Sequence, residues 1–209
     1  MNFSQLQSEV RRRLNEPSAV FWTDADIQNA LNEGLAELAD RTEYYEWWAN
    51  IRMQTDRSYY DLRSLLPYEV LTPTRIYNAV TSAWLRAADT RNLDGRYATW
   101  ETVGGEPDEF FIRGAWWLGV FPRPSVDGTA LRLYYTAQPP ALVVDEDLPE
   151  DLPVEFHAAL VDYALSDCYA QERETKKATA WMASFDGYAV KLAATVQNRT
   201  GFASKKVLQ

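Results

Sequence analysis

Among 209 residues there is one cysteine, Cys168, and one histidine, His157. The lone cysteine excludes an internal disulfide and any Cys-based zinc or iron–sulfur centre, and the lone histidine excludes two-His metal sites. No apolar run approaches the roughly 18 residues that a membrane span needs. Met1 to Val20 carries Arg11, Arg12 and Arg13 but no apolar stretch ahead of a cleavage site, so the expectation is a protein of the cytosol, or of an assembly built there. Cations are scarce: 21 Lys and Arg stand against 30 Asp and Glu, a net charge of −9. Such a chain is a poor non-specific DNA binder, because that mode depends on Lys and Arg neutralising phosphates.

What is abundant is aromatic: 8 Trp, 12 Tyr and 8 Phe. Some fill a core. The excess suits large partner surfaces, which favour these rings.

The chain reads as helix, sheet, helix. Phe3, Leu6, Val10 and Leu14 recur at helical spacing, and Asn15-Glu16-Pro17 ends that segment. Thr23 caps a second helix over Asp24 to about Thr42, whose stripe is Ile27, Ala30, Leu31, Leu35 and Leu38. Then the period changes. Trp48–Met53 alternates as a strand, with Tyr59–Leu62 as its hairpin partner. Arg75–Val80, Ala83–Ala87, Glu109–Arg113, Trp116–Val120 and Ala130–Tyr135 are further strands, with turns at Gly114-Ala115 and Val126-Asp127-Gly128. Asp89 to Pro107 reads as irregular. After an acidic linker, Val144–Asp151, one helix runs from Leu152 to about Glu174 and another from about Thr175 to Gln197. Residues 198–209 read as a mobile basic tail.

The expected fold is α+β: residues 1–46 and 152–197 form a helical bundle, 47–151 an inserted, small, mainly antiparallel β region with the acidic linker, and 198–209 an extended arm.

Catalytic chemistry has little to stand on. His157 lies beside the packed position Phe156 and reads as a helix-surface or interface histidine rather than a general base. Cys168 shares a face with Leu160 and Ala164 and reads as a small buried hydrophobe. Gly104-Gly105 is loop punctuation. The carboxylates Asp145, Glu146, Asp147, Glu150 and Asp151 are a solvated linker in preference to a calcium site or a glycosidase pair. No cofactor, no metal and no enzymatic activity is expected. Trp116 and Trp117 are adjacent, so in a strand they face opposite sides. With Tyr134 they are the candidate interface aromatics.

Several stretches resemble the head-to-tail adaptor (connector) proteins of tailed bacteriophages. They are Leu14-Asn15-Glu16-Pro17 with Phe21-Trp22-Thr23-Asp24-Ala25-Asp26-Ile27, the run Pro107 to Pro124 ending in Phe121-Pro122-Arg123-Pro124, Leu131 to Pro140, and the return helix Leu152 to Leu165. The resemblance spans nearly the whole chain. It implies a structural virion protein at the neck: a subunit of a homo-oligomeric ring, commonly of twelve, that binds the portal protein and a tail or neck protein and continues the channel through which double-stranded DNA passes. Carried over, Arg199, Phe202, Lys205, Lys206, Val207 and Leu208 form a portal-docking arm. A body rich in Asp and Glu repels phosphate, so DNA passes without sticking. The alternative is a protein- or carbohydrate-binding tail or baseplate module that uses exposed aromatics of the β region.

Overall fold

In the computed structural model, which describes residues 1–200, the elements follow the sequence closely at both ends and depart from it in the middle. In chain order they are α1 (Phe3–Leu14), α2 (Asp24–Thr42), β1 (Glu46–Arg52), β2 (Tyr59–Asp61), α3 (Leu62–Leu65), β3 (Val70–Asn78), β4 (Ala83–Trp84), β5 (Arg86–Ala87), α4 (Thr90–Arg96), β6 (Gly104–Gly105), β7 (Glu109–Arg113), β8 (Trp117–Phe121), β9 (Arg123–Pro124), β10 (Ala130–Ala137), α5 (His157–Gln171) and α6 (Thr175–Thr200). The class is mixed α+β. The chain divides into two compact units, a helical unit of residues 1–45 and 138–209 and a β unit of residues 46–137.

In the helical unit, α1 and α2 each open with a reciprocal capping box. Asn2 pairs with Gln5 and Thr23 with Asp26, and each box satisfies backbone N–H groups that a helix start leaves without partners. Both helices close on a left-handed residue, Asn15 and Glu43. The inward stripes are fully buried: Leu6 and Val10 of α1, Leu31 and Leu38 of α2, Leu160 and Leu165 of α5, and Phe185 of α6. Each such side chain contributes about 1.5–3 kcal/mol by leaving water. Arg13 of α1 reaches Asp162 of α5 at 2.8 Å, and Ser184 of α6 donates to the same carboxylate at 2.6 Å, so one buried acid ties three helices. Helix α6 runs to Thr200, past the expected end at Gln197. Beyond Thr200, the expected arm lies outside the described residues.

The β unit is mainly antiparallel, as expected, and its strands fall into more than one sheet. It holds two four-stranded sheets, ordered β1-β10-β3-β4 and β2-β8-β7-β5, and a two-stranded pair, β6-β9. Most pairings are antiparallel; β5 with β7 and β6 with β9 are parallel. The expected hairpin of Trp48–Met53 with Tyr59–Leu62 does not form: β1 pairs with β10, and β2 pairs with β8. Nor do β8 and β10 form a hairpin across Val126-Asp127-Gly128, since they belong to different sheets. Between Trp84 and Arg86 the chain crosses from one sheet to the other. Asp89–Pro107 is not irregular throughout: it contains α4 and a 3-10 turn at Trp100–Thr102. These bury Leu93 and Trp100 against Phe111 and Phe121, a small apolar core of their own.

Candidate docking faces

Three surface features expose large apolar side chains. The first is built by the alternation of β1, β10 and β3. On β10, Leu131, Leu133 and Tyr135 point inward and are buried, which turns Arg132 and Tyr134 to the opposite face. The register sets Trp48 of β1 beside Tyr134, and Tyr134 beside Arg75 of β3. One pair further along the strands, Asn50, Arg132, Tyr77 and Trp84 stand in a row across all four strands. The guanidinium of Arg75 lies 4.8 Å from the Trp84 ring centroid and 4.7 Å from that of Tyr134, while Arg132 lies 4.7 Å over Trp48. Trp48 and Trp84 are each half exposed. The face is thus a lattice of alternating rings and arginines, each cation held against a ring quadrupole.

The second feature is the loop before α2. The Glu16 carboxylate accepts from the backbone N–H of Val20, Phe21 and Trp22. Burial works against its charge, yet these donors hold the carboxyl below its ordinary value. Trp22 is buried and donates its indole N–H to Glu172 at 3.2 Å, and Arg11 donates to the Trp22 carbonyl at 3.1 Å. The loop is therefore fixed from within, and it presents Val20 and Phe21 to solvent, 84% and 68% exposed.

The third is the segment from Val143 to Glu155. It is not a free linker. The carbonyls of Asp145 and Asp147 accept from Ser4 and Phe3 at the start of α1, the Asp147 carboxylate accepts from Val143 and Val144, and Tyr45 donates to Glu150 at 2.8 Å. Its backbone is committed, while Val143, Val144, Leu148 and Val154 remain exposed.

The three aromatics expected from the sequence do not gather at one place. Tyr134 lies in the ring–arginine lattice. Trp117 begins β8 in the other sheet and is 41% exposed. Trp116 falls in the turn before β8, so strand alternation does not apply to it; half-buried, it lines a groove with Arg63, Leu66 and Tyr68. The arm residues Arg199, Phe202, Lys205, Lys206, Val207 and Leu208 have no described side chains. Sequence reasoning missed Trp48, Arg75, Trp84 and Arg132. The signal was present as alternation, Trp48-x-Asn50 and Arg132-x-Tyr134, but only the strand order shows that these rows adjoin.

His157 is not a surface residue. It is buried, its Nδ1 lies 2.6 Å from the amino group of Met1, and its Nε2 donates to the Leu152 carbonyl at 3.0 Å. Burial pushes the imidazole below its ordinary pKa. The unfolded chain therefore takes up a proton at a higher pH than the folded one, so stability present above the unfolded pKa is lost progressively as pH falls from there toward the lower folded value. Thermal melts from pH 7 to 5.5 should show a falling melting temperature, and His157→Gln should flatten the fall. The slope owed to one such group is at most about 1.4 kcal/mol per pH unit. An equal slope in the variant would assign the effect elsewhere. Cys168 is buried, which pushes its thiol up to about 12 and leaves it protonated and inert.

Among the described residues no group of three or more His, Cys, Asp or Glu side chains is placed to hold a metal ion. No helix among them is long and apolar enough to cross a membrane. A family model described as SU10 adaptor protein matches residues 1–205. Comparison with curated proteins gives no match.

Proposed function

The chain belongs to the SU10 adaptor protein family, and on that premise we propose that it is a ring subunit that joins the portal of a phage head to the tail and continues the DNA channel. The family is one of structural phage proteins, and the chain is a structural adaptor of a phage. The match over residues 1–205 is the observation that carries the finer reading. The ring is homo-oligomeric, of about twelve subunits, and sits at the virion neck after assembly in the host cytoplasm. The portal holds it on one side and a tail or neck protein on the other. Charge supports the role of a conduit. The helical unit has 19 acidic and 11 basic residues. A lumen of that sign repels phosphate and lets double-stranded DNA slide without sequence-specific contacts. Residues 198–209, with Arg199, Lys205 and Lys206 for charge and Phe202, Val207 and Leu208 for apolar contact, are the arm that docks on the portal.

For the alternative, a protein- or carbohydrate-binding tail or baseplate module, the lattice itself offers sugars little. A sugar stacks on a ring face, and Arg132 already covers Trp48 while Arg75 covers Trp84 and Tyr134.

Cryo-electron microscopy of the assembled particle tests the proposal. A ring of this chain between portal and tail, with both units fitting the density, is the expected result. Density for the chain only at a tail tip or baseplate would overturn it.

A further inference from the structure

The ring–arginine lattice of the β unit and the Val143–Glu155 segment of the helical unit are chemically complementary. The lattice offers Trp48, Tyr134 and Trp84 with Arg75 and Arg132; on β1, Arg52 adds a cation at one end and Glu46 an anion at the other. The segment offers exposed Val143, Val144, Leu148 and Val154 interleaved with exposed Asp145, Glu146, Asp151 and Glu155. Among the described residues none of those four acids forms an ion pair. Four exposed aliphatic side chains within one short, backbone-anchored stretch exceed what solvent exposure alone favours.

We propose that the ring–arginine face of one copy docks on the Val143–Glu155 segment of a second copy of this chain, an inference that rests on the ring reading above and names the surfaces that would make the ring. The charge distribution selects this occupant. The β unit is nearly balanced, with 11 acidic and 10 basic residues, and the helical unit is the acidic one. Pairing two lattices face to face would set arginine against arginine, a like-charge cost that the acidic segment avoids. Aromatic rings and arginines are also the side chains that most often anchor protein contacts. Because the two patches differ, the contact is heterologous. Each copy keeps one free patch of each kind, so repetition closes a ring or extends a filament.

Charge exchange tests the contact in the full chain. Arg75→Glu with Arg132→Glu gives an acidic face beside an acidic segment. Asp145→Lys with Glu146→Lys gives a basic segment beside a basic face. Sedimentation velocity over a concentration series should show that each variant alone self-associates at least about tenfold more weakly than wild type. An equimolar mixture should recover association, because each variant's altered patch now complements the other's. Recovery on mixing cannot come from misfolded protein. Association unchanged in either variant, no recovery in the mixture, or a wild type that stays monomeric at every concentration would overturn the contact. So would binding of a single-stranded oligonucleotide to wild type that Arg132→Glu abolishes, which would name nucleic acid as the occupant. Rings imaged in particles assembled with either charge variant alone would leave the ring reading standing while this contact fails; wild-type particles with no ring of this chain would end both.

Discussion

Gly119→Val should be among the most destabilising single substitutions in the chain, with a loss of about 3 kcal/mol or more. Gly119 sits in β8, opposite Phe111 on one side and Tyr59 on the other. A Cβ at this position would overlap two ring carbons of Phe111. The ring has little room to retreat. It is 3% exposed, meets Trp100 edge-on at a centroid distance of 5.3 Å, and shares its core with Leu93 and Phe121. Either the ring leaves that core or β8 leaves β7, and both outcomes expose apolar surface. Denaturant unfolding followed by tryptophan fluorescence reads the loss. Adding Phe111→Leu to Gly119→Ala should restore part of the stability, because the clash is with that ring and not with the backbone. A Gly119→Val protein as stable as wild type would show that the sheet accommodates the side chain.

Ending the chain at Gln197 should abolish portal binding while leaving the melting temperature within about 2 °C of the full chain, since surface losses rarely exceed about 0.5 kcal/mol. The stability half follows from packing. The last fully buried residue described on α6 is Leu192, and Gln197 and Asn198 are exposed. The binding half follows from the proposed docking arm. In the full chain, Arg199→Glu, Lys205→Glu and Lys206→Glu together should weaken portal binding, most at low ionic strength, where exposed ion pairs are least screened. Portal binding by the truncated chain equal to that of the full chain would remove the arm from the account. A large fall in melting temperature would instead make residues 198–209 part of the helical core.

The helices were legible because their determinants are local. Thr23 and Asp26 cap α2, five apolar residues at spacings of three and four define its buried stripe, and its bounds, Asp24–Thr42, follow. The strands were legible as strands but not as sheets. Tyr59–Leu62 follows Trp48–Met53 closely enough to suggest a hairpin, yet Tyr60 pairs with Leu118, a partner that no local pattern names. Asp89–Pro107 looked irregular because α4 is short and shows a single buried apolar residue, Leu93. Its packing depends on Trp100 and on strands far away in sequence. The docking lattice failed for the same reason. Tyr134 could be picked out as an aromatic in a strand, but that Arg75 and Trp84 stand beside it requires the strand order. Asp145, Glu146, Glu150 and Asp151 are exposed, as acidic composition suggests, but that the Asp145 and Asp147 carbonyls serve the first N–H groups of α1 is a use of backbone that side-chain chemistry does not reveal.

The central claim, that this chain is the ring joining portal to tail, is tested most directly by mixing the purified full chain with the portal ring of the same phage, sedimenting the mixture and imaging the pellet by electron microscopy. The account predicts co-sedimentation and a ring of additional density on the tail-facing side of the portal. Portal rings that sediment without the chain at every ionic strength tried would contradict it.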